Sequence, residues 1–366
     1  MLDVALKLLK EITSHSYKAY IVGGFVRDHL LGIESNDIDI CTNATPKQIK
    51  EIFEDSCLPK EDYGAVLVEM KGVTFEITTF RKEIEYDDNR HPFEIKYIDD
   101  LYQDLLRRDF VINTLCMDED GKIIDYLGGQ TDLDNHVIRS VGNPVDKFSE
   151  DSLRILRAIR FATILDFSLD DELRSAIIET KHLLSNLSYN RKKEELDKIF
   201  TSPNYRNGIK LILELGLQKE LEIPNLGDTL NTDNISLIGI WSVLNVVDIY
   251  PFNKNELELI SKVNEAVKLD NLDSYTLYKY GLYVNCVAGE IKKEDIRDIT
   301  EAYNDLVIKS RDEIDITSEE IMRLVNQEPG KYIKDIYEDI EKEILYLRLD
   351  NEKSSISKYI LKKYCR

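Results

Sequence analysis

This 366-residue sequence predicts an α+β head followed by an all-helical remainder, and three observations predict it. Residues 1 to about 140 alternate short β-rich runs with helical segments. From about residue 141 the strand signals fade and long amphipathic patterns run to the C-terminus. Inside the first part, the adjacent glycines Gly23 and Gly24 end an apolar run about a dozen residues ahead of an Asp-x-Asp, Asp37 and Asp39.

Taken in order, "MLDVALKLLKEI" reads as an amphipathic helix, not a basic region followed by an apolar core. The runs "AYIV", "NDIDIC", "AVLVEM", "VTFEITTF" and "KIIDYL" read as strands, and "FVRDHLLG" as a short helix after the glycines. The segments "EDSLRILRAIRFATIL" and "RKKEELDKIF" open the helical part, where Pro203, Pro224, Pro251 and Gly281 are the main punctuation. The expected division is 1–140, 141–205, 206–270 and 271–366. No apolar run reaches the roughly 18–20 residues that cross a bilayer, and Cys41, Cys57, Cys116, Cys286 and Cys365 lie far apart, so a cytoplasmic protein with reduced thiols is expected. The isolated His15, His29, His91, His136 and His182 point to no histidine catalysis. A formal charge of −21 repels nucleic acid, so an RNA partner needs a local basic surface or metal ions. The basic patch at the C-terminus includes Lys358, Lys362 and Lys363.

In a strand, Asp37 and Asp39 project from one face about 7 Å apart at their α-carbons. Two like charges so placed raise each other's pKa unless a cation intervenes, and hard oxygen donors suit Mg²⁺. Gly23 and Gly24 let a phosphate approach the backbone at a helix N-terminus, with Arg27 one turn in. Glu76, between Thr74 and Thr78 on the polar face of its strand, offers a third carboxylate.

With "GGFVRD", "DIDI", "RRDFVINTL", "DYLGGQTDLDN" and "EDSLRILRAIRFA" in this order, residues 15 to about 215 resemble the class II tRNA nucleotidyltransferases and bacterial poly(A) polymerases, of the polymerase-beta-like nucleotidyltransferase superfamily. The resemblance implies a polymerase-beta-like nucleotidyltransferase head (1–140) followed by a helical neck (141–205), body (206–270) and tail (271–366). It also implies templateless addition of nucleotides to an RNA 3′ end, with Gly24 and Arg27 on the nucleotide and Asp37 and Asp39 on catalytic Mg²⁺. By the same resemblance Arg107, Arg108 and Asp109 meet the sugar and phosphates, Arg108 most directly, and a carboxylate accepting from a 2′-OH would favour a ribonucleotide.

The helix "SEDSLRILRAIRFA" is expected to be capped by Ser149, with Glu150 and Asp151 in its first turn. Asp151, Arg154, Arg157 and Arg160 then form one row, and Leu153, Leu156 and Ile159 the buried stripe. An acceptor beside donors matches the amino group and ring nitrogen of cytosine or adenine, not the reverse order of uracil or guanine, so Asp151 and Arg154 would select CTP and ATP. Arg157 and Arg160 would lie toward the phosphates. The polar segment Arg81 to Tyr97 looks like the loop that, in CCA-adding members, helps the pocket change from C to A. One departure is Asn190, where the family usually carries glutamate, beside a retained Arg191. The leading expectation is CCA addition to the tRNA 3′ end from CTP and ATP with release of pyrophosphate. A poly(A) polymerase, an A-adding enzyme and an inactive RNA-binding derivative stay open, and no feature of the sequence fixes the oligomeric state.

Overall fold

A computed structural model describes residues 1–54, 57–58, 64–83, 86–87, 91–92 and 95–365. The chain separates into two compact units, Met1–Glu222 and Ile223–Arg366.

The first unit opens with the helix Leu2–Ser14, which buries Ala5, Leu8, Leu9 and Ile12, the i, i+3, i+4, i+7 stripe of an amphipathic helix. A seven-stranded mixed sheet follows, in the order Ile123–Ile124, Cys116–Met117, Ala19–Val22, Asp39–Thr42, Val73–Thr79, Ala65–Met70, Cys57–Leu58. Two registers in it matter for the site. Val22 lies opposite Asp39 in an antiparallel pair, and Asp39 lies beside Glu76 in the only parallel pair among the described strands of this sheet. Val22, Cys41, Phe80 and Cys116 pack under Leu101 and Leu105 of the Leu101–Leu106 helix. "AYIV" and "AVLVEM" are strands from end to end. In "NDIDIC" the strand begins only at Asp39, leaving Asp37 ahead of it, so the two carboxylates do not share one regular strand as expected.

"KIIDYL" pairs only at Ile123–Ile124. Its Asp125 leaves the strand and accepts four backbone N–H groups, from Leu127, Gly128, Gly129 and Gln130. Those bonds hold the turn in which Gly128 takes a positive φ of 83° and caps the helix Gly129–Asp134. Between Arg81 and Tyr97 the ends pair as Arg81–Glu83 with Ile95–Tyr97, and Tyr86–Asp87 pairs with His91–Pro92. Residues 84–85, 88–90 and 93–94 of this segment, on which the C-to-A reading falls, lie outside the described residues.

The helices Pro144–Glu150, Leu153–Leu165, Asp171–Thr180, Tyr189–Phe200 and Tyr205–Glu214 complete the unit. Here the expected start of the long helix is corrected. Ser149 sits inside the preceding helix with its hydroxyl donating to the Val145 carbonyl, and Asp151 ends that helix in an extended conformation. The long helix starts at Leu153, whose N–H is accepted by the Asp151 carboxylate. A carboxylate still satisfies the helix start, as dipole arguments require, but from the hinge between two helices.

The second unit is helical throughout its described elements. One core gathers Ile336, Tyr337, Ile340 and Ile344 with Ile356 and Ile360, and another gathers Val263, Ala266, Tyr280, Val284 and Ala288. The helix Ser274–Lys292 is broken at Gly281, at φ 75° and ψ 168°, and the buried Asn285 side chain donates to the freed Gly281 carbonyl at 2.8 Å. No helix among the described residues is long and apolar enough to cross a membrane.

Gly208 is where the long helix and the Tyr205–Glu214 helix meet most closely: a β-carbon there would stand 2.4 Å from Thr163 Oγ1 and 2.8 Å from Ile199 Cγ2. Gly208→Ala should therefore destabilise despite a gain of ~1 kcal/mol in helix propensity, since overpacking costs typically ~1–3 kcal/mol. Thermal melting is expected to show a midpoint several degrees lower, and an unchanged or raised midpoint would contradict this packing.

Candidate active site

The site forms where the strand Ala19–Val22 runs into Gly23. Gly23 has φ 83°, caps the helix Gly24–Leu30 and donates its N–H to the Leu115 carbonyl at 3.1 Å. A β-carbon on it would stand at ordinary contact distance, 3.6 Å, from Arg108 Nη1, so it is the positive φ of the turn that favours glycine here. Beside it opens a cavity of about 430 Å³ lined by Gly23, Gly24, Arg27, Asp39, Arg108, Asp109, Asn113, Asp151, Leu153, Arg154, Arg157, Phe161 and Arg191. Five arginines face three aspartates here, in a chain of net charge −21. The local basic surface that an anionic substrate needs is thus a pocket wall.

Each arginine is held in place. Arg27 bonds Asp28 at 2.7 Å and donates to the Asn113 side-chain oxygen at 2.7 Å. The fully buried Asp104 takes both Arg107, at 2.9 Å, and Arg108, at 3.4 Å, and also accepts the Arg81 N–H. Arg154 bonds Glu150 at 2.6 Å and reaches the carbonyls of Lys147 and Arg107. Arg191 bonds Asp151 at 3.2 Å, and its buried Nη1 has no hydrogen-bond partner among the described residues. Asp109 accepts Nε of Arg157 at 2.8 Å, a second contact from Nη2 of the same guanidinium, the Asn113 amide at 3.1 Å and the Phe110 N–H at 2.7 Å. Those four bonds fill the acceptor sites of a carboxylate, so Asp109 in this structure holds Arg157 and Asn113, and a 2′-OH would have to displace one of them. Burial alone would push the Asp109 carboxyl up, but Arg157, Asn113 and the Phe110 N–H together hold it below its ordinary value.

The expected row Asp151, Arg154, Arg157, Arg160 is only partly realised. The first three line the cavity. Arg160 does not: it is 9% exposed, bonded to the buried Glu195 at 2.9 Å and set against the Phe161 ring. Leu156 and Ile159 are fully buried, while Leu153 turns to the cavity wall. Asp151 accepts one bond from the Leu153 N–H and one from Arg191, about half of a carboxylate's capacity. Asn113, Phe161, Asp104 and Glu195 went unassigned in the sequence, although the first two lie inside "RRDFVIN" and "RAIRFA".

Asp39 opens to solvent at the cavity while Asp37 and Glu76 lie outside its lining. Crowding by protein pushes the Asp39 carboxyl up, Asp37 pushes the same way, Arg108 opposes, and Glu76 adds to the rise. The donor set is thus a cluster of hard oxygens carrying more negative charge than one arginine offsets, which fits a divalent cation. Among the described residues no group of three or more His, Cys, Asp or Glu side chains is placed to hold a metal ion.

Of the C-terminal lysines, Lys358 and Lys362 are exposed on the helix Lys353–Tyr364. Lys363 is engaged by Asp339 at 2.7 Å and by the Tyr359 hydroxyl at 2.9 Å.

Residues 19–139 match the poly A polymerase head domain, 166–226 the probable RNA and SrmB-binding site of polymerase A, and 245–360 the putative domain 2 of tRNA nucleotidyltransferase. The CCA-adding enzyme of Bacillus subtilis (strain 168) is 34% identical over 384 residues, covering 97% of this chain and 97% of that protein. The chain belongs to the CCA-adding enzyme family. It is accordingly a nucleotidyltransferase. The Lactococcus lactis (strain IL1403) CCA-adding enzyme is 35% identical over 96% of this chain and 95% of its own length. The structure of the Bacillus stearothermophilus CCA-adding enzyme in complex with CTP superposes with a TM-score of 0.85 at 25% identity, over 98% of this chain and 96% of that one. The similarity to CCA-adding enzymes thus runs through both units of the fold.

Because the folded Asp109 carboxyl sits below its unfolded value, its stabilisation is complete above about pH 4 and is lost as pH falls through the lowered folded value. Asp109→Asn should melt below the wild type at neutral pH, with the gap closing as the pH drops below about 4. Melting curves from neutral to acid pH measure this, and a gap independent of pH would remove the charge of Asp109 from the account.

Proposed function

We propose that this chain is a Mg²⁺-dependent CCA-adding tRNA nucleotidyltransferase, which adds C, C and A to the tRNA 3′ end from CTP and ATP and releases pyrophosphate. The observation that carries this is one cavity that brings together the Gly23-Gly24 turn, Asp39, five arginines, and Asp151 beside Arg154, with Asp37 and Glu76 adding their charge to that of Asp39 from outside its lining. The full-length similarity to CCA-adding enzymes of Bacillus subtilis and Lactococcus lactis supports it, as does the likeness to a relative solved with CTP.

In this reading the residues divide the work by chemistry. Gly23 and Gly24 let the triphosphate approach the backbone, and Arg27, Arg108 and Arg157 balance its charge. Asp151 accepts from the amino group of cytosine or adenine, and Arg154 donates to the neighbouring ring nitrogen. Uracil and guanine would set acceptor against acceptor and donor against donor, which leaves polar groups unpaired in a confined site. Arg191 orients Asp151, and Asp109 orients Arg157, so selection and charge balance are fixed before substrate enters. Arg160, through Glu195 and Phe161, stiffens this wall without touching nucleotide. Asp37 and Asp39, with Glu76 beside them, would hold Mg²⁺, which when bound supplies activation of the RNA 3′-OH and relief of charge on the phosphates. We further assign 1–140 as head, 141–205 as neck, 206–270 as body and 271–366 as tail, the tail offering Lys358 and Lys362 to the tRNA backbone. A cytoplasmic setting suits the five free cysteines.

Incubating the protein and Mg²⁺ with tRNAs ending before CCA, after C and after CC, with each NTP alone and with CTP plus ATP, should complete CCA and stop. Long A tracts would mean a poly(A) polymerase instead, and addition of A to the CC-ended tRNA alone an A-adding enzyme. Asp37→Ala and Asp39→Ala are each expected to lower transfer by at least about 10³-fold while tRNA still binds in a filter assay. Turnover that survives either change would sink the carboxylate assignment.

A further inference from the structure

We propose that Phe161 is a positioning residue for the nucleotide triphosphate, its ring seating Arg27 and Arg157 at the cavity wall while leaving their charge available to an anion. The guanidinium carbons of Arg27, Arg157 and Arg160 lie 5.1, 5.5 and 4.5 Å from the centroid of this one ring, all within cation–π range. Phe161 is 8% exposed and lines the cavity, and Phe110 packs edge-on against it at 5.7 Å.

Three cations gathered at one buried ring repel one another, and each has one principal carboxylate: Asp28 for Arg27, Asp109 for Arg157 and Glu195 for Arg160. Burial lowers the pKa of Arg160, Arg157 and Arg27 lower it further, and Glu195 opposes. A fourth carboxylate at the centre would relieve the crowding but cancel field that the phosphates need. An aromatic ring attracts cations through its quadrupole and carries no charge, so it collects the arginines without neutralising them. Arg27 comes from the helix after the glycine turn and Arg157 from the long helix, so the shared ring also sets the spacing between two arginines remote in sequence. Arg160, bonded to buried Glu195 and absent from the cavity lining, is the third guanidinium on this ring.

This inference rests on the nucleotidyl-transfer reading of the cavity, and the test separates the two. Titration calorimetry with CTP and with ATP in Mg²⁺ buffer compares the wild type with Phe161→Leu, Phe161→Tyr and a chain carrying trifluorinated phenylalanine at position 161. Leucine keeps most of the apolar volume without the quadrupole, and the fluorinated ring keeps the shape with a weakened one, so folding is preserved in at least one informative variant. The Kd for both nucleotides should rise roughly 5- to 30-fold in Phe161→Leu, by a smaller factor with the fluorinated ring, and by less than about twofold in Phe161→Tyr. Equal effects on CTP and ATP would mark a phosphate role, and a change in one alone would overturn it. The proposal also fails if the fluorinated ring binds like the wild type, or if tyrosine loses as much affinity as leucine. A wild type that binds neither nucleotide overturns this inference and the proposed function together. A wild type that binds CTP yet extends no tRNA overturns the proposed reaction alone, with the variant series still deciding the role of Phe161.

Discussion

The antiparallel register that sets Val22 against Asp39 fixes the candidate site, because the chain turns at Gly23 immediately beyond that pair. The turn and the carboxylate are therefore neighbours by hydrogen bonding of the sheet rather than by any contact of their own. On the other side of Asp39, the parallel register brings Glu76 alongside. A slip of one residue in either pair would exchange Asp39 for the buried Ile40 or Ile38, reversing which side chains face the core. The apolar residues around the aspartate thus specify its position as firmly as the aspartate specifies the chemistry.

Around this frame the ion pairs are arranged so that charge is held without being used up. Asp104, fully buried, serves two arginines, and Glu150 serves Arg154 and Lys147. Sharing one carboxylate between two cations leaves net positive charge at the cavity and still satisfies the buried acid. The chain Asp28, Arg27, Asn113, Asp109, Arg157 runs from the helix after Gly23 to the long helix through side chains alone. Preorganisation of this kind costs stability in the empty protein and spares reorganisation when an anion arrives.

Much of this was legible in the sequence, and the parts that were not have a common cause. The strands of the first unit, the Asp-x-Asp, the two glycines and the arginines of the Leu153–Leu165 helix are local signals, written in alternation, turn chemistry and i,i+3 spacing. The helix start at Leu153 is not decided by the sequence, because "SEDS" offers two serines and two acids that could each cap, and the end of the Pro144–Glu150 helix decides which does. The spacing of Arg160 continues the row toward the phosphates, but in the fold Glu195, 35 residues away, holds it outside the cavity lining. Asn113 and Phe161 lie inside quoted motifs but show no role there: an asparagine ending a short 3-10 turn and a phenylalanine in an apolar stripe are ordinary until the fold brings arginines to them. Partners distant in sequence decide such residues, and a single sequence does not record them.

The surplus of arginine in one cavity also shapes how the molecule searches. At physiological ionic strength charges are felt over about 8 Å, so in a chain of net charge −21 a polyanion is attracted only where cations are gathered locally. Non-specific binding rests on lysine and arginine at phosphates, and a chain with 48 basic against 69 acidic residues disfavours it outside such a gathering.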